Sequence, residues 1–367
     1  MGETIIVAGS FTPRPSPPVC PCYVSRLVRA SEAEGRQPDI GAEFSGSTEE
    51  LFAEIDTLTE ANRANRDRES ERRLLRLRHL AGIRLIDEDG PDPEHPSPDI
   101  DRLPEADGLP DIAPEELTAE LLRAGILRDG CLLVRGLVDR SDALHFAAQI
   151  ERAFEERERH DSGGSAAEGY YEEFEPDPRF QMSTRPWVKE GGGLLAVDAP
   201  MLTFEMMEMF EQAMLRQLVR GYLGEPAMIS LQKTTLRKAE PSVVGAWHQD
   251  GAFMGDVRSL NLWLALSRCG DEAPGLDIVP RRLDDLVAVG TEGTFLANQV
   301  SQKNAEEAAG DVPIISPIFE PGDALFFDEL FLHQTGSDPS MPKPRFAIES
   351  WFFGGSAFPR DYGPLAV

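Results

Sequence analysis

Cysteine is scarce in this chain: Cys20, Cys22, Cys131 and Cys269 are the only four in 367 residues. No paired framework exists among them, so a disulfide-stapled secreted domain is excluded and a reducing cytoplasm is expected. Cys20-Pro-Cys22 has the look of half a zinc site but lacks a second Cys or His pair nearby. Basic residues are also few, 36 Lys and Arg against 64 Asp and Glu, for a formal net charge of −28. Nucleic acid and anionic membranes would both repel such a chain, so neither is expected as a partner. Most of that acidity serves as a solvated surface. No run approaches the ~20 apolar residues that cross a bilayer. The opening MGETIIVAGSFTPRPSPP has neither the basic start nor the long apolar segment of a secretory leader. A GxGxxG motif, a P-loop and βαβ alternation are all missing, so a nucleotide-binding α/β fold is not expected. What is present, 41% hydrophobic residues, suffices for a real core in one large domain or two.

Composition divides the chain near residue 113. Residues 1–46 are rich in Pro, Gly and Ser and read as an arm. A helix opens at Ser47 with Glu50 completing a capping box. Leu51, Ile55 and Leu58 form an apolar stripe that Leu74, Leu77 and Leu80 resume. Residues 62–73 between them are polar all round, which predicts either a solvated bridging helix or a break into two. The 47–81 segment offers a packing face or a homodimer contact. The acidic, proline-dense stretch 87–113 predicts a connecting loop, with His95 exposed in it. From Pro114 a helix runs to about Ala124, then a short strand at Cys131–Val134. A second helix spans Ser141 to about Arg159, with Leu144, Ala148, Ile150 and Phe154 expected inward. Residues 161–200 are irregular and read as a lid insertion. The segment 201–223 predicts one helix whose Met206, Met207, Met209 and Met214 are core filler. After 227 short apolar runs recur (227–237, 243–248, 259–267, 276–279, 312–319, 324–333 and 345–353), the spacing of a sandwich or jelly roll. The expected fold is therefore mostly β with helical N-terminal additions.

The chemistry-bearing residues lie in that second half. In AWHQDGAF (246–253), His248 precedes Asp250 by two residues. In a strand, side chains at i and i+2 face the same way, about 7 Å apart at Cα. Imidazole plus carboxylate is a ligand pair for a divalent first-row metal, and a third ligand is required. The only later histidine is His333, in FFDELFLHQTGSD, placed at the end of an apolar strand. His248, Asp250 and His333 would make a 2-His-1-carboxylate face with three open positions. Arg345 opens RFAIESWFF, where alternation puts Arg345, Ala347, Glu349 and Trp351 on one face. A buried guanidinium there needs an anionic partner; a dicarboxylate supplies one, as does an ordinary ion pair with Glu349.

WHQDG (247–251), LNLWLAL (260–266), APGLDIVPRR (273–282), PGDALFFDELFLHQT (321–335) and RFAIESWF (345–352), in this order, resemble the phytanoyl-CoA dioxygenase family; GILRDGCLLVRGLVD (125–139) resembles its opening strand and helix. The resemblance covers about 125–353. It implies a double-stranded β-helix (jelly roll, cupin-like) core flanked by helices; the oxygenase domain is expected over 114–367, and the lid at 161–200 rests on the length of that loop, since it matches nothing in the family. It implies Fe(II) and 2-oxoglutarate as cofactors. His248, Asp250 and His333 match the iron ligands, and Arg345 matches the arginine for the distal 2-oxoglutarate carboxylate. Thr335 matches a Ser/Thr position that assists that arginine. Trp263 matches an aromatic lining the pocket, and Gln232 lies where a polar co-substrate contact is expected. Related halogenases replace the carboxylate by a small residue; Asp250 is present, which favours oxygen transfer. The implied reaction is oxidation of an unactivated C–H bond with O₂, giving succinate and CO₂; hydroxylation is expected, with desaturation, epoxidation and ring closure open to the same residues, and the net charge favours a small or medium-sized metabolite over an acyl-CoA. Tyr170, Tyr171, Arg185 and Trp187 are candidate lid contacts, with Phe253 and Trp351 at the mouth. Lys233, Arg237, Lys238 and Arg258 could form a basic patch. Two rivals stand beside this reading: a cupin-like lyase or isomerase that needs no Arg345, and a binding protein acting through 47–81.

Overall fold

The structure, a computed structural model, describes residues 40–367 except 89, 91, 106–108, 256, 295–296 and 360. The expected arm is described only from residue 40 on, and Cys20-Pro-Cys22 lies outside the described residues. In chain order the helices are α1 (Thr48–Ala64), α2 (Arg68–Asp87), α3 (Ala119–Asp129), α4 (Arg140–Asp161), α5 (Arg185–Glu190), α6 (Pro200–Gln212), α7 (Leu215–Leu223), α8 (Gly251–Met254) and α9 (Gln302–Ala309). The strands are β1 (Asp111–Ile112), β2 (Cys131–Val134), β3 (Gly193–Leu195), β4 (Ala227–Ser230), β5 (Thr235–Ala239), β6 (Ser259–Ala265), β7 (Gly275–Ile278), β8 (Ala324–Phe327), β9 (His333–Gly336), β10 (Arg345–Gly354) and β11 (Pro364–Ala366). More residues lie in helix than in strand, so the architecture is mixed helix and sheet rather than mostly β.

Local chemistry sets the helical ends. Ser47 accepts from the Glu50 backbone N–H while the Glu50 carboxylate accepts from the Ser47 N–H at 2.8 Å, the reciprocal cap read from the sequence. The polar stretch after it resolves into a break at 65–67. Asp67 caps α2 by accepting from the Ser70 N–H. Leu51, Ile55, Leu74, Leu77 and Leu80 are buried within the chain, where α2 packs on α1, β11 and α6. In α4 the inward stripe is Ala143, Phe146, Ala147, Ile150 and Phe154. Leu144 is exposed, and so is Ala148, so the expected face was off by one residue at its start. The segment 201–223 is two helices, because Met214 takes a left-handed φ of 56° between them. Met206, Met207 and Met209 are core, whereas Met214 is exposed.

Nine strands form one sheet running β1-β2-β8-β6-β10-β4-β11, with β5 paired to β10 and β3 to β5. A two-stranded sheet pairs β7 with β9 antiparallel. Isolated bridges widen it: His248 pairs with His333, and Ile278 with Ile315. Residues 243–248 and 312–319 contribute only such bridges, not full strands. The run 324–333 also splits. β8 ends at Phe327, Asp328 turns the chain by accepting from the Leu330 N–H at 3.1 Å, and His333 opens β9 in the other sheet. Residues 38–367 make one compact unit. No helix among the described residues is long and apolar enough to cross a membrane.

Candidate active site

A cavity of about 260 Å³ opens between the two sheets and is lined from both. The small sheet and its bridged neighbour contribute His248, Leu276, His333 and Thr335; the large sheet contributes Thr235, Arg237, Trp263, Arg345, Glu349 and Trp351. Gly245 lets the strand-like segment before His248 lie against β9, since a Cβ there would sit 2.1 Å from the Thr335 carbonyl oxygen. His248 and His333 exchange both backbone hydrogen bonds, at 3.0 and 3.1 Å. Their ring centroids are consequently 4.4 Å apart.

Asp250 reaches the same point by a different route from that expected. Its backbone is already helical, φ −61° and ψ −32°, at the entry to α8. A tight turn rather than strand alternation carries its carboxylate back, with Oδ1 3.7 Å from His248 Nε2. One ligand atom from each of His248, Asp250 and His333 lies within 4.8 Å of the others.

The donor set fits a divalent cation. Each imidazole has its Nδ1 against a backbone carbonyl, Ala246 at 2.7 Å for His248 and Phe331 at 3.1 Å for His333. Those contacts fix the tautomer and leave Nε2 as the lone-pair nitrogen of both rings. Asp250 Oδ2 accepts from the Asn261 amide, while Oδ1 is buried with no hydrogen-bond partner among the described residues. Burial, offset only in part by Lys233, pushes the Asp250 carboxyl up to about 8. Burial, reinforced by His248, holds His333 down at about 3, and burial lowers His248 too. Two neutral imidazoles and a carboxyl that resists ionising lack only a positive charge between them.

Arg345 is 1% exposed and sits deeper in the cavity. Its Nη1 donates to the Gly275 carbonyl at 2.9 Å, and its guanidinium lies 5.3 Å from the Trp263 ring centroid. Glu349 stands 3.6 Å from Nη2 but is held chiefly by Arg237, through Nη2 at 2.5 Å and Nε at 3.1 Å. Burial opposes its charge, yet Arg237 and then Arg345 keep Glu349 at about 2. The ordinary ion pair weighed for Arg345 thus belongs mainly to Arg237. Arg345 Nε and the Trp263 indole N–H are both buried without a partner among the described residues. Two orphaned donors facing a cavity suit a carboxylate.

The remaining expected residues fall on either side of the cavity wall. Thr335 lines it, two residues along β9 from His333. Gln232 lines it too, but its amide is engaged: Oε1 accepts from Thr184 Oγ1 at 3.2 Å, and Nε2 donates to the Asp361 carbonyl at 2.9 Å. Phe253 and Trp351 are at the mouth as expected. The lid contacts are not where the sequence put them. Tyr171 is buried against His160, Tyr170 donates to Gln149, and Trp187 is 68% exposed. Arg185 is spent on Asp198, with Nε at 2.7 Å and Nη2 at 2.8 Å. Val188 and Gly191 are what this insertion contributes to the lining. Its end, β3, is part of the large sheet. Of the basic patch, Lys233 and Arg237 line the cavity, whereas Lys238 pairs with Glu151 and Arg258 contacts His95. His95 is half-buried, its other ring nitrogen 3.2 Å from the Tyr222 carbonyl. Sequence reasoning missed Asn261, whose signal was only its place two residues before Trp263 in an apolar strand.

A family model described as phytanoyl-CoA dioxygenase matches residues 126–345. Among solved structures, the chain is similar to EctD from S. alaskensis with 2-oxoglutarate and 5-hydroxyectoine, at 16% identity over 74% of this chain and 86% of that one, TM-score 0.46. It is also similar to ThoJ, a non-heme monooxygenase, at 15% identity over 65% and 79%, TM-score 0.44. A third similarity is to the epimerase SnoN in complex with Fe3+, alpha ketoglutarate and nogalamycin RO, at 18% identity over 64% and 83%, TM-score 0.41. No curated protein sequence matches the chain.

Proposed function

The chain belongs to the phytanoyl-CoA dioxygenase family and is a 2-oxoglutarate-dependent non-haem iron oxygenase, and from that premise we propose that it hydroxylates an unactivated C–H bond of a small or medium-sized organic metabolite. The two facing sheets are read as the halves of a double-stranded β-helix, with residues 114–367 as the oxygenase domain and 1–113 as an N-terminal extension. Fe(II) and 2-oxoglutarate supply the oxidising chemistry when bound, with succinate and CO₂ as co-products.

The chain's own residues hold and shield that chemistry. His248 and His333 present Nε2, and Asp250 presents Oδ1, to the metal. Asn261 fixes the carboxylate by donating to Oδ2. Arg345 donates to the distal carboxylate of 2-oxoglutarate through the Nε that otherwise lacks a partner. Thr335 and the Trp263 indole line the same cavity and would flank that carboxylate, and Gln232 ties the mouth to the turn before α5. Glu349 keeps Arg237 neutralised, so a single net positive charge meets a single carboxylate.

The observation that carries this reading is the joint orphaning of Asp250 Oδ1 and Arg345 Nε in one cavity, one for a cation and the other for an anion. A metal-dependent lyase or isomerase would need the first and not the second. The test is succinate release from 2-oxoglutarate by purified protein with Fe(II), ascorbate and O₂. Release is expected for the wild type and is abolished in Asp250→Ala. No release with fully loaded metal would overturn the assignment.

A further inference from the structure

The turn between β4 and β5 places Lys233 beside the metal ligands with no acidic partner. Its Nζ lies 4.6 Å from the ring centroid of Phe253, 5.0 Å from that of Trp351 and 5.2 Å from that of Tyr362. Three aromatic faces from α8, β10 and the segment before β11 thus surround one ammonium. Among the described residues nothing accepts a hydrogen bond from Nζ, and no carboxylate comes within ion-pair distance of it. Phe253 stacks in turn toward His248, centroid to centroid 6.3 Å, so the caged cation is one ring away from the proposed metal.

Aromatic faces attract a cation without neutralising it. A half-buried ammonium surrounded by rings therefore keeps its full charge and loses much of its water, which is unfavourable until an anion joins it. The acidic group that acts most on Lys233 is Asp250. A divalent metal would take up that carboxylate's charge and leave Lys233 without a counter-ion.

The missing anion is not the co-substrate. Arg345 would take one of its carboxylates and the metal the other, so neither is left over for Lys233. Lys233 serves the other end of the cavity, where the substrate enters. We propose that Lys233 is the substrate-anchoring residue and that the substrate is a compact amphipathic carboxylic acid, its carboxylate on the Lys233 ammonium and its apolar body against Phe253 and Trp351. A monoanion matches one ammonium, whereas a phosphate would leave charge unpaired, and a cavity of about 260 Å³ shared with 2-oxoglutarate suits a compact ligand. This inference rests on the oxygenase reading of the same cavity.

The test uses the full-length Fe(II)·2-oxoglutarate complex, kept anaerobic and titrated with 3-phenylpropionate and with its primary amide. Binding is read by tryptophan fluorescence, since Trp351 is in the cage. The acid is expected to bind about 10- to 100-fold more tightly than the amide, the range for a hydrogen bond to a charged group. Lys233→Met should bring that ratio close to one, and Lys233→Arg should retain most of it. Equal binding of acid and amide, binding of neither, or survival of the ratio in Lys233→Met overturns the proposal. Thermal melts of each protein with and without Fe(II) and 2-oxoglutarate separate the two layers. Without a ligand-induced rise in the wild type, the oxygenase reading fails; a rise with no acid preference sinks only Lys233. A Lys233→Met protein that keeps the rise is folded, so its binding data count.

Discussion

Replacing Arg345 by glutamine separates the two jobs a buried guanidinium can have, holding the fold together or holding a ligand. In the ligand-free protein Arg345 has one hydrogen bond, to Gly275, and an Nε without a partner, while Arg237 neutralises Glu349. Removing a buried charge whose nearest carboxylate is already held chiefly by Arg237 should therefore leave the melting temperature of the free protein little changed. With 2-oxoglutarate present, two charge-assisted hydrogen bonds are at stake, each about 1.5–3 kcal/mol. Glutamine keeps one neutral donor, so a net loss of about 3 kcal/mol is the conservative figure, or roughly 150-fold in affinity. At 2-oxoglutarate one hundred times the wild-type Kd, ligand stabilises the wild type by about 2.7 kcal/mol. The same concentration would give the variant well under 0.5 kcal/mol. The assay is a thermal melt in Mn(II) with a 2-oxoglutarate series, paired with succinate release. The expected result is an unchanged baseline melting temperature with a ligand-induced rise that nearly disappears. If the variant binds 2-oxoglutarate within threefold of the wild type, the guanidinium is not the anchor and the charge reasoning behind it is wrong.

Other perturbations probe the metal side and the insertion. Asn261→Ala frees Asp250 Oδ2 and should weaken Fe(II) or Mn(II) binding about 10- to 100-fold, read by metal titration; unchanged affinity would show that the Asn261 contact does not orient the carboxylate. The metal-free site should also make stability pH-dependent. Between pH 6.5 and 8 folded Asp250 keeps a proton that the unfolded chain, with its carboxyl near 3.8, has lost, so stability falls as pH rises. The expected slope stays below the ~1.4 kcal/mol per pH unit of one whole proton, because the folded carboxyl is already partly ionised near pH 8 and the unfolded imidazoles still hold some proton near 6.5. On acidification the two imidazoles, both lowered in the fold, gain protons on unfolding, which opposes the carboxyl and limits stability on the acid side. Melts in EDTA from pH 5 to 8.5 should show a maximum inside that range; Asp250→Asn or saturating Mn(II) should abolish the upper limb, and persistence of that limb in Asp250→Asn would assign it elsewhere. Arg185→Met strands the buried Asp198 carboxylate, whose pKa burial already raises. That should cost about 3 kcal/mol and lower the melting temperature by several degrees; a shift under one degree would mean that this pair does not hold the insertion.

The candidate metal-binding triad was legible because the chemistry restricts such ligands to rare residue types. Six histidines in the whole chain leave few ways to build a two-imidazole site, and Asp250 and His333 follow His248 in an order with one consistent reading. The alternation that put Arg345, Glu349 and Trp351 on one face needed only the pleat of a strand, and β10 keeps it across ten residues. What failed were places where tertiary contacts overrule local pattern. His333 begins a strand in the second sheet because Asp328 and Glu329 interrupt the apolar run, and no periodicity announces a change of sheet. The aromatic insertion looked like a lid because its tyrosines and arginine could serve a ligand. Instead Arg185 answers the buried Asp198, a partner thirteen residues away whose burial depends on the packing of the whole insertion. The Lys233 cage was illegible for a stronger reason: Phe253, Trp351 and Tyr362 come from three separate segments, and only the closed fold brings them to one ammonium.

Charge at the cavity resolves an apparent contradiction between an acidic protein and anionic ligands. The chain carries −28 overall, which would repel 2-oxoglutarate at long range. Salt screens that repulsion beyond about 8 Å, so the local balance decides. The cavity lining holds three cations, Lys233, Arg237 and Arg345, against the two carboxylates Asp250 and Glu349. Its histidines are kept neutral by burial. Adding a divalent metal leaves an excess of three positive charges in a poorly hydrated space. A dianionic co-substrate removes two of them. One unit of positive charge is then left over, and Lys233 is where the unpaired cation stands. The local balance therefore does the selecting: a small monoanion that reaches the mouth would meet the one charge the rest of the site leaves uncompensated.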